Sequence, residues 1–280
     1  VTKTGSGKLT LSGTQTYTGA TTVQAGTLAL VGPDRTPEMR DEALTLTATT
    51  MDVTLDPRKM VAKGNVRSTL LPPKKASGKQ PETKRPALLG DKDPVNIISD
   101  TLTYDEANHH ANYTGKVRLM QGDTTINAEA IGLAESKGDL TATGKVVTNL
   151  MITGKQPETP AIKPKPTIAR AETFGYSDDT RMATYTTTAQ LDGDQGNLSA
   201  GQLKLQLAKD DNALEKLEAN GAVVALVDKR RVTGVKLVYT QAEEKYLVTG
   251  VPVRMIDASC EETIGKTLTF WKASDRVLVD

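Results

Sequence analysis

The stretch Ile98–Ala130, ISDTLTYDEANHHANYTGKVRLMQGDTTINAEA, contains three alternating runs separated by two polar turns. Ile98, Leu102 and Tyr104 share one face at period two, and Asp105–Asn108 then turns the chain. Val117 and Leu119 follow Gly115, Gln121-Gly122-Asp123 turns the chain again, and Ile126 and Ala128 resume the alternation. Short alternating runs joined by Gly/Asp/Asn turns predict antiparallel hairpins.

The same unit recurs along the chain. Written around its glycine it reads AKGNVRS (Ala62–Ser68), YTGKVRL (Tyr113–Leu119), ATGKVVT (Ala142–Thr148), ANGAVVA (Ala219–Ala225) and VTGVPVRM (Val248–Met255). A degenerate copy, MATYTTTAQL (Met182–Leu191), puts Thr187 where Gly115 stands. Gly115 to Gly144 is 29 residues, and Gly221 to Gly250 is again 29. A fixed period outweighs any single motif, and it predicts a sheet built hairpin by hairpin. Val235, Leu237 and Tyr239 are placed together before a turn at Gln241–Glu244, and Leu268 and Phe270 before one at Lys272–Asp275. The segment NALEKLEA (Asn212–Ala219) has helical propensity, but its register against the repeat assigns it to a strand.

Composition narrows the function classes. Threonine occurs 40 times, and aromatics make up only 4% of the 280 residues, a bias toward pleated surfaces. A net charge of +1 removes the electrostatic case for nucleic acid as a partner. The longest aliphatic run, Ala222–Val227, is far short of the roughly 20 residues of a spanning helix. The lone Cys260 rules out an intrachain disulfide. The chain opens on Val1 with no charged and apolar leader, as a mature or excised piece does, and RVLVD at its end stops just after a strand, as in a chain cut short.

Two stretches interrupt the repeat. Pro72–Pro94 holds five prolines and six Lys/Arg, and Lys155–Pro166 holds four prolines; the hexapeptide GKQPET occurs at Gly78–Thr83 and again at Gly154–Thr159. Proline removes a ladder donor, so these read as solvated insertions at hairpin tips. Thr4–Gly32 differs again, with short Leu9/Leu11, Thr21/Val23 and Leu28/Leu30 alternations between glycine corners. This suits one coil of a β-solenoid, which must stack on a neighbour to bury its face. Residues 33–43 read as a linker.

The sequence's candidate catalytic and ligand-binding patterns are each incomplete. His109 and His110 are adjacent in a polar turn and read as surface side chains. Asp192–Asn197 lacks the acidic twelfth position of a calcium loop, since Leu203 stands there. Gly5-Ser-Gly-Lys8 lacks the hydroxyl residue of a phosphate loop, since Leu9 follows. The doublets Asp178-Asp179, Asp210-Asp211, Glu243-Glu244 and Glu261-Glu262 read as solvated turn tips, and Cys260 as a bystander. The expectation is a protein that is not an enzyme and carries no cofactor and no metal.

Two resemblances rest on these residues. Thr4–Leu30 resembles the autotransporter-associated β-strand repeat through Gly5, Gly7, Leu9, Ser12, Gly13, Tyr17, Thr18, Gly19, Thr21, Val23, Gly26 and Leu28. Residues 44–280 resemble the OstA-like family of lipopolysaccharide transport, the LptA, LptC and LptD N-terminal type. That likeness is fullest at Asp100–Asp105, Ala111–Leu119 and Gln121–Ala128. The second resemblance implies an all-β fold, an elongated and twisted β-jellyroll whose apolar interior carries acyl chains. It also implies the periplasm of a Gram-negative cell envelope, with lipopolysaccharide (lipid A) as ligand. The partners it implies are other jellyroll proteins of the transport bridge, or further copies stacked head to tail.

A sheet folded over on itself, apolar within and Thr/Lys/Asp without, encloses a dry trough in which burial alone supplies affinity. The expected groove lining is Ile98, Leu102, Tyr104, Val117, Leu119, Ile126, Val146, Leu203, Leu205, Val223, Leu237, Tyr239, Val253 and Phe270. Which face turns inward is a question of one residue in register. The competing expectation is a structural or adhesive β-repeat spacer with no lipid cargo. A spacer needs a sealed core, and a carrier needs an open apolar groove.

Overall fold

A computed structural model of the chain describes residues 2–12, 22–31, 36–40, 43–72, 84–152, 166–193, 196–209 and 212–280. Among these residues it is all-β, with strands, one short 3-10 turn and no α-helix. Both GKQPET copies, Asp210-Asp211 and the middle of the N-terminal repeat, including Tyr17, lie outside the described residues. The chain divides into two compact units, Val1–Ala142 and Thr143–Asp280.

The first unit opens with the expected coil. Strands β1 (Thr2–Lys3) and β3 (Thr22–Val23) pair in parallel, as do β2 (Lys8–Ser12) and β4 (Thr27–Val31), with Leu9 opposite Leu28. The corner before β4 needs glycine. Gly26 has φ +83°, and a Cβ there would sit 2.3 Å from the Gly7 carbonyl oxygen. Strand β5 (Glu38–Arg40) pairs with β6 (Leu44–Thr47), and β7 (Thr50–Leu55) follows. β4 then pairs antiparallel with β7, Leu28 opposite Val53, so the coil extends the sheet of the repeating region. β8 (Arg58–Leu70) pairs with β7 along its first half and with β6 along its second. β9 (Val95–Asp105), β10 (His110–Gln121) and β11 (Thr124–Ala134) continue the antiparallel meander. β12 (Asp139–Leu150) runs across the division between the units.

The second unit is a second meander of β13 (Thr167–Ser177), β14 (Met182–Gly193), β15 (Gly196–Leu207) and β16 (Leu214–Val227). It continues through β17 (Arg230–Thr240), β18 (Lys245–Ile256), β19 (Glu262–Trp271) and β20 (Arg276–Val279). NALEKLEA enters β16 from Leu214, as its register requires. The turn expected at Gln241–Glu244 is the 3-10 turn Gln241–Glu243.

The repeated glycine marks a bulge. At the repeat position β8, β10, β14 and β16 each hold one residue more than the strands beside them, and β18 holds two more. At four such sites two consecutive residues have positive φ: Gly64-Asn65, Gly115-Lys116, Thr187-Thr188 and Gly221-Ala222. Gly144-Lys145 in β12 repeats this pair of angles. At Gly115 the chain passes so close to β9 that a Cβ would lie 2.3 Å from the Asp100 carboxylate. An extra residue bends its strand and sharpens the local twist. Bulged strands alternate with plain ones, so the bends line up and fold the sheet over. Both halves of each strand then bury side chains inside, which makes each unit a jellyroll.

On the plain strands the buried positions change parity at the crease. In β9, Ile97 and Ser99 are buried before it and Leu102 after it; in β15 the pair is Ala200 and Leu203. This corrects the face expected for two residues. Ile98 is only half-buried while its neighbour Ile97 is fully buried, and Val235 is 59% exposed while Leu237 is buried. Strict alternation carried across the bend put both on the wrong side. Two turn readings also change: Asp178 is buried, and His109 and His110 are half-buried.

Candidate functional site

Folding over produces a different interior in each unit. The first contains a cavity of about 580 Å3 that is open to solvent. Its walls include Met39, Leu44, Val53, Met60, Leu70, Leu102 and Leu133. Met60 and Leu70 belong to opposite halves of β8, so the cavity lies between the two leaves of the folded sheet. Farther along the same strands Val66, Ile97, Val117, Leu119 and Ile126 are packed tightly, and none of them borders the cavity. It is therefore a pocket with a floor.

The mouth is polar. Tyr104 donates a hydrogen bond to Glu135 Oε2 at 3.2 Å, and burial, followed by that carboxylate, pushes the phenol's pKa up. Arg58 pairs with Glu106 at 3.0 Å, and Lys59 with Asp105 at 3.5 Å. One side is closed by a strap formed from residues 84–94. The Lys84 amide donates to the Glu135 carbonyl oxygen at 2.6 Å, and Gln121 Nε2 donates to the Gly90 and Asp93 carbonyl oxygens, each at 2.9 Å. Arg85, facing the cavity, donates to the carbonyl oxygens of Leu71 and Asp93. Burial lowers the pKa of its guanidinium, and Asp91 offsets part of that shift.

Pro86, Leu88 and Leu89 of the strap are buried, so this part of the Pro72–Pro94 insertion is not a solvated tip. The signal was the apolar PALLG inside a basic stretch.

Among the described residues, the second unit's interior is packed with aromatic rings. Phe174 and Tyr185 meet with ring centroids 4.8 Å apart, Tyr239 and Tyr246 at 4.5 Å, and Tyr246 and Phe270 at 5.9 Å. The Tyr185 hydroxyl reaches Thr148 Oγ1 at 2.7 Å, both groups being buried. Beside Leu237, Tyr246 and Phe270 the free space is about 10 Å3, less than one water molecule needs.

The fourteen expected groove residues therefore separate by environment. Leu102 and Tyr104 border the open cavity. Val117, Leu119 and Ile126 pack below it. Val146, Leu203, Leu205, Val223, Leu237, Tyr239, Val253 and Phe270 are buried in the filled second unit, and Ile98 lies outside either interior. Reading the repeat missed Met39, Leu44 and Val53, which come from the segments before it, and the Arg85 strap.

Comparison with known proteins places these features in context. Residues 1–30 match the family described as passenger-associated-transport-repeat. Residues 96–197 match the family described as LptA/(LptD N-terminal domain) LPS transport protein. Among solved structures, the chain is similar to LptH of Pseudomonas aeruginosa, titled the LptA homologous periplasmic component of the conserved lipopolysaccharide transport device. The identity is 17% and the TM-score 0.37, with 46% of this chain and 83% of that chain covered. No curated protein sequence matches the chain.

Proposed function

We propose that the chain is a non-enzymatic carrier of the lipopolysaccharide-transport type, working in the periplasm of a Gram-negative bacterium. In this reading the first unit's cavity receives lipopolysaccharide acyl chains, which pass to other jellyroll proteins of the bridge, or to a second copy, on the way to the outer membrane. The observation that carries the reading is the open apolar cavity between the leaves of the folded sheet. Part of its wall, Leu102 to Asp139, falls within the matched transport-family segment. Acyl chains ask only for dry surface of suitable width, and apolar burial at about 25 cal/mol per Å2 holds them without directional bonds.

The test is site-specific photo-crosslinking to lipopolysaccharide in Gram-negative envelopes, with the probe at position 102 and, as an outward control, at position 235. Adducts at 102 and none at 235 are expected. Equal labelling at the two positions, or none at 102 in folded protein, sinks the proposal. The filled interior of the second unit favours a spacer role for that half, so position 237 should give no adduct.

A further inference from the structure

On its outside the crease of the folded sheet is a convex crest, and in the second unit this crest changes character. The residue after the repeat position is exposed and polar at Asn65, Lys116, Lys145 and Thr188. At Ala222 in β16 and at Val251-Pro252 in β18 it is exposed and apolar, Val251 being 91% exposed. Strands β17 and β18 nearly touch there, since a Cβ on Gly250 would lie 3.1 Å from the Gly234 Cα, and Val235 stands beside Val251 on the crest. Of the eight large exposed hydrophobics among the described residues, seven lie between Leu226 and Leu278, so the apolar surface is local to these last strands. We infer that this crest docks on the surface of an anionic phospholipid bilayer, with Val235, Val251 and Pro252 entering the head-group layer.

Charge selects the occupant. The stretches 219–227, 231–238, 247–256 and 263–269, which cross the crest, hold Arg231, Lys236, Arg254 and Lys266 and no Asp or Glu. Of the two carboxylates that flank them, Glu262 pairs with Arg254 at 3.0 Å and Glu218 with Lys216. Asp228, Glu243, Glu244, Asp257, Glu261 and Asp275 stand instead in the turns at the strand ends, with Lys229 and Lys272 among them. Folding over brings those ends together away from the crest, where Arg230 meets Asp275 at 2.8 Å. These strands are therefore basic and apolar on one side and acidic on the other, which orients them on a negative surface. The aliphatic stems of Lys and Arg lie along the acyl boundary while their charges meet phosphate. A protein partner would ask for aromatic anchors seated in pockets, and a convex ridge of valine and proline offers neither.

The experiment is flotation of the full chain with vesicles of phosphatidylcholine alone or mixed equally with phosphatidylglycerol. The protein should float with the mixed vesicles, stay behind with phosphatidylcholine, and be released by added salt. Val251→Asp, a change at a solvent-facing side chain, should lower partitioning about tenfold with unfolding unaltered, and Lys236→Gln about fivefold. The tryptophan introduced by Val251→Trp should shift its emission to the blue on binding. Glu129→Trp, at the exposed position opposite the bulge of β10 in the first unit, should show no shift. Leu102→Trp, which obstructs the cavity, should float as the unaltered chain does.

No flotation of the unaltered chain, undiminished flotation of Val251→Asp, equal flotation with both vesicle types, or an equal blue shift from Glu129→Trp would overturn the inference. So would flotation that Leu102→Trp abolishes, which assigns the lipid to the cavity. A concentration-dependent mass that Val251→Asp removes, with no flotation, would give the crest to a second copy instead. The inference stands apart from the carrier reading. Its occupant is phospholipid, so position 235 should still give no lipopolysaccharide adduct, and adducts at position 102 bear on the carrier alone.

Discussion

Thr187 occupies a backbone position that the other bulges of this kind fill with glycine, and its φ of +67° is one that a β-branched residue adopts only under strain. It is exposed, so no burial compensates. Thr187→Gly should therefore stabilise the protein by about 0.5–1 kcal/mol, the left-handed penalty less the entropy that glycine costs. Gly115→Ala should destabilise it by at least about 2 kcal/mol, because the backbone penalty adds to a clash with Asp100. Urea unfolding of the two variants checks both signs. Tyr113 makes a separate case, as burial pushes its phenol pKa up to about 12. An unfolded tyrosine ionises near 10, so above that pH the unfolded state loses its proton first. The contribution is complete below pH 10 and disappears as pH rises toward 12. Tyr113→Phe should flatten the fall in unfolding free energy measured across that interval.

At the scale of the element, the coil β1–β4 occupies the edge of β7, whose sequence TMDVTL has the alternation and β-branching of an aggregation-prone strand. Removing residues 1–32 should expose that edge and produce self-association, visible as a concentration-dependent mass in light scattering. An unchanged monomer-like mass would mean that the coil protects nothing. The hairpins were legible because turn chemistry and period two are local properties. Even the degenerate copy was readable, since Thr187 takes the angles of the glycine it replaces. What sequence alone could not supply was the change of parity on plain strands. It misplaced Ile98 and Val235 because the bend is imposed by an extra residue on the neighbouring strand, often many positions away. The Arg85 strap was obscured for a similar reason, since proline and lysine signal a loop whatever that loop covers.

At the scale of the whole molecule, aromatic side chains account for the difference between the two interiors. Phe174, Tyr176, Tyr185, Tyr239, Tyr246 and Phe270 are all buried in the second unit, whereas among the described residues the first has Tyr104 and Tyr113. Aliphatic walls leave space that stacked rings fill. A total count of aromatics in the chain was thus a poor guide, and their distribution a good one. Ligand binding to the first unit should raise the stability of the folded chain by about 2.7 kcal/mol at a hundredfold excess of fatty acid over Kd, read as a shift in thermal unfolding. Leu102→Trp should reduce that shift without changing the near-ultraviolet signature of the second unit's aromatic cluster.

The alternation of bulged and plain strands has a further consequence. Its smallest translational period is a pair of strands, so the sheet can be lengthened or shortened only in whole pairs without breaking the line of bends. Losing a single strand would set two bulges, or two plain strands, side by side and turn every later side chain inside out. Duplicating a 29-residue stretch such as 116–144 would instead add one tile and preserve the facing of every strand after it. Chains of this kind therefore vary in length by discrete steps, and the reach of each is counted in hairpins.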